Sequence, residues 1–344
     1  MSRRRPPVRR RRALPRTLSG GVVALFVAMT LVSGWAVWSY RGPGPTARSG
    51  SVTHMVLTRG SGAGQIATAL RAAGVIRSRT LFLLAARLVS GHPSLKAGEY
   101  EFPSGVSMAR VLADIQAGRV VRRFVAVPEG WTSDMAVDAV RAEPVLAGEV
   151  ATPPEGSILP DSYQVQRGED RAAVVARMRA ARDTLLAKLW AGRASGLPLN
   201  RPQDAVTLAS LVEKETGVAA ERPRIAAVFE NRLRVGMKLE SDPTVIYGVS
   251  QGRPLGRGIT MKELMTATPY NTYRIVGLPP TPIANPGRAA LTAVLNPPRS
   301  TELFFVADGT GGHVFASTYA EHQANVAKWR GIERARAAAA AAGK

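Results

Sequence analysis

Residues 208–216 read LASLVEKET, and residues 221–245 continue as ERPRIAAVFENRLRVGMKLESDPTV. Leu208, Leu211, Val212 and Glu215 are spaced so that the last three fall 3, 4 and 7 positions after the first. That spacing puts all four on one face of a helix. The expected helix is capped by Asp204, runs to about Thr216 and stops at Gly217. Glu215 then continues an apolar stripe, and Glu213 is rotated away from it. A carboxyl on an apolar face is expensive to ionise, and one that keeps its proton near neutral pH is a general acid. On spacing alone Glu215 is the better candidate, with Glu213 in reserve. The plainer alternative is two solvated charges near a helix end. A second helical pattern follows, and SDPTVIYG (241–248) reads as an Asp-Pro turn entering an apolar run.

Further motifs lie downstream. Tyr270, Asn271, Thr272 and Tyr273 combine aromatic rings with an amide and a hydroxyl, side chains able to stack on sugars and bind their hydroxyls. GLPPTPI (277–283) is stiff enough for a groove wall, and ANPG (284–287) is a turn opening a helix near 288–295. LFFVAD (303–308) reads as a buried strand, followed by GTGGH (309–313). His313 is a candidate substrate contact, although a lone His after a turn is more often structural.

Upstream, a smaller module occupies residues 52–127. It reads as a strand at 52–57, helices at 62–73, 81–89 and 107–116, a short strand at 98–102, and a β-rich stretch at 120–127. Ser107 is the expected cap of the third helix and Gly118 its stop. Short strands flanking paired helices suggest an α+β module. Between this module and the acidic helix, Thr132 or Ser133 can cap a helix to Ala142, GSILPDSY (156–163) reads as a loop, and 171–192 as a long amphipathic helix.

Residues 20–40, GGVVALFVAMTLVSGWAVWSY, carry no charge. Such a run is long enough to span a bilayer as a helix, and Trp35, Trp38 and Tyr40 gather at its far end as interfacial aromatics do. Arg3, Arg4, Arg5, Arg9, Arg10, Arg11, Arg12 and Arg16 precede it, which predicts a cytoplasmic tail at 1–19 and an extracytoplasmic chain beyond. A cleaved signal peptide is the alternative, but this run is longer than an h-region and exits through bulky aromatics. Residues 41–51 form a Pro/Gly/Ser linker, and the Ala-rich stretch 333–344 is expected to be a disordered tail.

The 344 residues carry a formal net charge of +21, still +13 without those eight arginines. Such a charge suits an anionic partner. No zinc motif, helix-turn-helix pattern or RNP string supports nucleic acid. The absence of Cys excludes disulfides and thiolate chemistry, and the four His are too scattered for a spaced metal motif.

Together LVEKET, NRLRVGMKLESDPTVIYG, TPYNTYRIVGLPPTPIANPG and FFVADGTGGHVF resemble the endolytic murein transglycosylase family, in family order and over about a third of the chain. The chain departs from the family at GSILPDSY, where relatives carry a larger aromatic before the Pro-Asp pair, so no substrate role is carried over to Ile158 or Leu159. The resemblance implies an α+β protein with an N-terminal transmembrane helix, a LysM-like module at 52–127 and a larger mixed α/β catalytic domain at 128–332. It implies a lyase of the inner membrane that cuts the MurNAc–GlcNAc β-1,4 bond of nascent strands without metal or cofactor. The MurNAc C6 hydroxyl attacks its own anomeric centre, giving a 1,6-anhydro end and terminating the strand. The family's essential glutamate lies in the EKE string and is expected at Glu215. Asp242, Thr244, Tyr270, Asn271, Thr272 and His313 are the expected substrate contacts, with Asn271 on a sugar hydroxyl or acetamido group. Peptidoglycan strands, membrane lipid and peptidoglycan synthases are the expected partners. A non-catalytic glycan-binding scaffold of the same machinery is the rival reading.

Overall fold

The computed structural model describes residues 16–90 and 95–342; the arginines before Arg16 and the last two residues lie outside them. The chain divides into two compact units, Met1–Arg122 and Arg123–Lys344.

The first unit opens with helix α1 (Arg16–Arg41). Its stretch Gly21–Arg41 is long and apolar enough to cross a membrane, with a mean hydropathy of 1.9. Val22, Leu25, Phe26 and Leu31 are exposed along it. Strands β1 (Val52–Leu57) and β2 (Gly98–Pro103) then pair antiparallel, Val52 opposite Pro103 and Leu57 opposite Gly98. Helices α2 (Ala63–Ala72), α3 (Arg79–Ser90) and α4 (Met108–Ala117) supply the rest of the small core. Ile66, Leu70, Phe82, Tyr100, Phe102, Leu112 and Ile115 fill it. The expected punctuation of α4 is present. The Ser107 side chain accepts from the Arg110 N–H, and Gly118 ends the helix in the left-handed region at φ 71°.

Strand β3 (Arg123–Ala126) belongs to the second unit. The sequence reading gave it to the small module, but it pairs antiparallel with β4 (Ser162–Val165), whose partner no local pattern reveals. Helix α5 (Ser133–Ala142), capped by Thr132, and helix α6 (Arg171–Ala191) pack beside this strand pair around Val125, Val137, Ile158 and Met178. Helix α7 (Pro202–Glu215) is the centre of the unit, with α6, α8 (Arg222–Arg234), α9 (Asp242–Ser250) and α11 (Arg288–Leu295) packed on it. Every residue of α7 from Ala205 to Glu213 is buried. It is therefore a core helix covered on all sides, not an amphipathic one, and the stripe argument does not apply to it.

Three local expectations change with this. The cap of α7 is Arg201; Asp204 sits inside the first turn and its carboxylate reaches back to the N–H groups of Asn200 and Arg201 at 3.1 and 3.0 Å. The Asp242-Pro243 pair starts a helix rather than a turn, because proline near the first helical position is already set at a helical φ. The C-terminal helix α12 (Tyr319–Ala342) runs on through the alanines expected to be disordered, as the strongest helix former allows. Helix α10 (Met261–Met265) and the hairpin of β5 (Phe304–Ala307) with β6 (His313–Ala316) complete the unit. Strand β5 is half-buried throughout rather than buried, since its hairpin has no third strand. All sheets described are two-stranded and antiparallel, so the fold is mixed helix and sheet of the α+β kind.

Candidate active site

Glu215 is the last residue of α7. It is half-buried, and its Oε1 accepts a short hydrogen bond from the Ser241 hydroxyl. Ser241 is itself buried, at the residue before α9. Burial pushes the Glu215 carboxyl up to about 7, and the neighbouring Asp242 charge adds to the rise. The Ser241 bond, His313 and Arg232 act in the opposite direction. The helix end adds a physical bias of its own, because the unpaired carbonyls of a C-terminus disfavour a negative charge. The result is a carboxyl that can both give and accept a proton near neutral pH.

Glu213 is the more buried of the two, at 8% exposure against the expectation that it faces away from the core. Its Oε2 accepts from the Gly287 N–H at 2.8 Å and its Oε1 pairs with Arg222 at 3.0 Å. Gly287 is the cap of α11, so Glu213 ties the start of one core helix to the end of another. Burial raises its carboxyl, while the Gly287 and Arg222 bonds oppose the rise. Both oxygens are already engaged in holding the fold.

The expected substrate contacts separate into two groups. Thr244, Asn271 and Thr272 are fully buried and serve the fold. Asn271 donates to the carbonyls of Leu264 and Thr266 at 2.9 and 2.7 Å, and its Oδ1 accepts from the Tyr273 N–H at 3.0 Å. Thr272 Oγ1 accepts from the Ser241 N–H at 2.9 Å and lies 2.8 Å from Thr244 Oγ1, which donates to the Ser241 carbonyl at 2.6 Å. None has surface to offer a sugar; Thr244 and Thr272 fix Ser241 instead, and Asn271 fixes its own loop. Asp242, Tyr270 and His313 remain at or near the surface. Asp242 Oδ1 accepts from the Tyr273 hydroxyl at 2.7 Å. Burial and that bond push the Tyr273 hydroxyl up, so it stays protonated as a donor. Tyr270 packs on Tyr247 with ring centroids 4.8 Å apart and bonds Thr281 at 2.9 Å.

Several members of the site escaped the sequence reading. Ser241 and Arg232 have no pattern of their own, and Tyr273 reads from sequence as a sugar-stacking ring, not as the partner of Asp242. Arg232 is buried and holds the carbonyls of Leu303 and Leu239 at 2.7 and 2.8 Å. Glu221, in a 3-10 turn at Ala219–Glu221, binds the His313 ring. Glu155 accepts from the Ser133 N–H at 2.8 Å and from the Tyr247 hydroxyl at 3.3 Å, and burial raises its carboxyl. Ile158 and Leu159 of the divergent loop are core residues. Away from this site, His54, Glu99 and Glu101 bring ligand atoms within 4.8 Å of one another across the β1–β2 pair. The ion pair of His54 with the directly opposed Glu101, at 3.1 Å, accounts for that grouping.

Known proteins are similar to this chain in sequence. The endolytic murein transglycosylase of Streptococcus pneumoniae serotype 2 is 29% identical over 322 residues, spanning 79% of this chain and 57% of that protein. The chain thus covers little more than half the length of this relative. The Bacillus subtilis protein of the same name is 42% identical over 117 residues, 34% of this chain and 32% of its own length. A crystal structure of a YceG-like protein from Listeria monocytogenes aligns with 80% of this chain and 99% of its own, at 28% identity and a TM-score of 0.48. The YceG-like family profile matches residues 55–328. From the first strand of the small unit into the last helix, then, this chain belongs to the YceG-like family.

Proposed function

We propose that this chain is a lytic transglycosylase that cuts peptidoglycan strands at the MurNAc–GlcNAc β-1,4 bond, with Glu215 as its acid and base. The observation that carries the reading is the state of Glu215: a half-buried carboxyl at a helix end, bonded to a fixed serine and raised to about 7. Ordinary glycoside hydrolysis uses two carboxylates, one for the leaving group and one for water or nucleophile. Here the neighbouring Asp242 is engaged by Tyr273, and Glu213 by Gly287 and Arg222. One free carboxyl suffices if the nucleophile belongs to the substrate, because an intramolecular hydroxyl is already at high effective concentration. Glu215 protonates the leaving oxygen, then takes the proton of the C6 hydroxyl as the 1,6-anhydro ring closes. The names of the pneumococcal and Bacillus relatives support this reaction class.

In this reading α1 anchors the chain in the inner membrane with the tail at 1–19 in the cytoplasm, and the chain beyond the span acts on the outer side. The small unit serves as a LysM-like aid to glycan engagement. Cleavage beside the membrane terminates nascent strands and brings the enzyme near peptidoglycan synthases. Mass spectrometry of products from purified glycan strands tests the chemistry: 1,6-anhydro ends are expected. Reducing MurNAc ends would make it a hydrolase, and bound but uncut strands a scaffold.

A further inference from the structure

Glu221 and His313 stand apart from the core machinery and yet are held with unusual care. Glu221 Oε1 accepts from the His313 backbone N–H at 2.7 Å, and its Oε2 lies 2.8 Å from His313 Nδ1. The same carboxylate accepts from Thr216 Oγ1 at 3.3 Å, and Thr216 directly follows Glu215. Room for this grip comes from Gly312, where an added Cβ would lie 2.7 Å from Glu221 Oε1. Partial burial of Glu221 works against its ionisation, but its bonds to His313 and Thr216 outweigh it and leave the carboxyl lowered. An ionised carboxylate only accepts, so the Nδ1 of His313 carries the hydrogen. The ring has no other hydrogen bond among the described residues, which leaves Nε2 available.

The charged groups around Glu215 come from three other elements. Asp242 on α9 opposes its ionisation, and Tyr273 covers that aspartate. Arg232 on α8 and His313 on β6 favour it. Arg232 is locked to the carbonyls of Lys238, Leu239 and Leu303 and paired with Glu240, so its charge is permanent. Of the two favourable groups, His313 is the one held by a carboxylate that also bonds the residue after Glu215.

We propose that Glu221 and His313 form a positioning pair that holds the imidazole beside Glu215 and thereby governs how readily that acid releases and regains its proton. The proposal rests on the reading of Glu215 as the acid. The proton accounting is simple. The bond from C1 to the leaving oxygen breaks as the Glu215 proton passes to that oxygen, leaving a carboxylate. The bond from O6 to C1 forms as the hydroxyl proton returns to Glu215. Through both transfers the Glu221 bonds hold the His313 ring in place. Burial, Asp242 and the helix end make Glu215 a weaker acid; His313 and Arg232 act in the opposite direction, so acid and base duties are both served.

The test is the pH profile of kcat/KM on glycan strands for the full chain, its Glu215→Gln, His313→Gln and Glu221→Gln variants, with nitrogen-15 NMR of the histidines. The alkaline limb, where Glu215 loses its proton, should move upward by about one pH unit in both His313→Gln and Glu221→Gln, with lower kcat. Wild-type His313 should show the Nδ1-protonated pattern, and Glu221→Gln should lose it. If His313→Gln does not fold, Glu221→Gln and the wild-type spectrum decide alone. Unmoved limbs with an inactive Glu215→Gln overturn the pair but leave the acid in place. A neutral ring protonated on Nε2 in the wild type also overturns the pair. An active Glu215→Gln overturns both readings, since the pair would then have no acid to act through.

Discussion

Glu213 and Glu215 stand two residues apart on α7 and meet different partners. Glu213 is spent on Gly287 and Arg222; Glu215 meets one hydroxyl and an opening to solvent. The difference has a thermodynamic consequence. Folding raises the Glu215 carboxyl from its ordinary 4.5 to about 7. A group whose folded pKa is raised contributes its stability in full below the unfolded value and loses it as pH rises through the folded one. The protein should therefore lose stability between about pH 4.5 and pH 7 on account of this residue. Glu215→Gln removes that loss. Its stability relative to the wild type should rise by about 1–3 kcal/mol between pH 4 and pH 8, an amount discounted for partial exposure. Chemical denaturation at the two pH values measures it, and a pH-independent difference contradicts it. Such a trade of stability for activity is common at sites that hold a strained charge state.

At the scale of elements, the acid depends on how the start of α9 is held. Thr272 Oγ1 accepts from the Ser241 N–H and meets Thr244, so the loop carrying Asn271 and Thr272 fixes the serine that bonds Glu215. Thr272→Val keeps the shape and removes the acceptor. It should cost about 1–3 kcal/mol of stability, the range for an orphaned buried donor, and lower turnover more than a surface change of equal size. Unchanged turnover in the folded variant would release Ser241 from its proposed part. Much of this element level was legible. The helices of the small unit, Ser107 and Gly118 at the ends of α4, and Thr132 before α5 follow from caps and periodicity. Other features were not, because they depend on partners distant in sequence. Asn271 and Thr272 have the chemistry of sugar ligands but are consumed by carbonyls and amides of neighbouring loops. The apolar spacing points to Glu215, yet α7 is buried all round from Ala205 to Glu213, and what distinguishes Glu215 is its place at the helix end beside Ser241. Ser241 itself could not be read from α7, since the loop between α8 and α9 brings it there.

For the whole molecule, the uncharged run at 20–40 and the arginines before it predict a single anchor with the rest of the chain outside. A phosphatase reporter fused after Lys344 should be active, and a cytoplasmic C-terminus would remove the glycan from reach. The remaining +13 charge suits anionic headgroups and wall polymers, an attraction that falls off within roughly 8–10 Å at physiological salt. All of this matters only if the carboxyl at the end of α7 does the chemistry. The most direct measurement is turnover of the full chain and its Glu215→Gln and Glu213→Gln variants on the same glycan strands, with folding checked for each. The account predicts at least about a hundredfold loss for Glu215→Gln, the scale of lost acid–base catalysis, and a much smaller loss for folded Glu213→Gln. An inactive Glu213→Gln beside an active Glu215→Gln would mean that the acid is the other carboxyl, and full activity in both would contradict the mechanism.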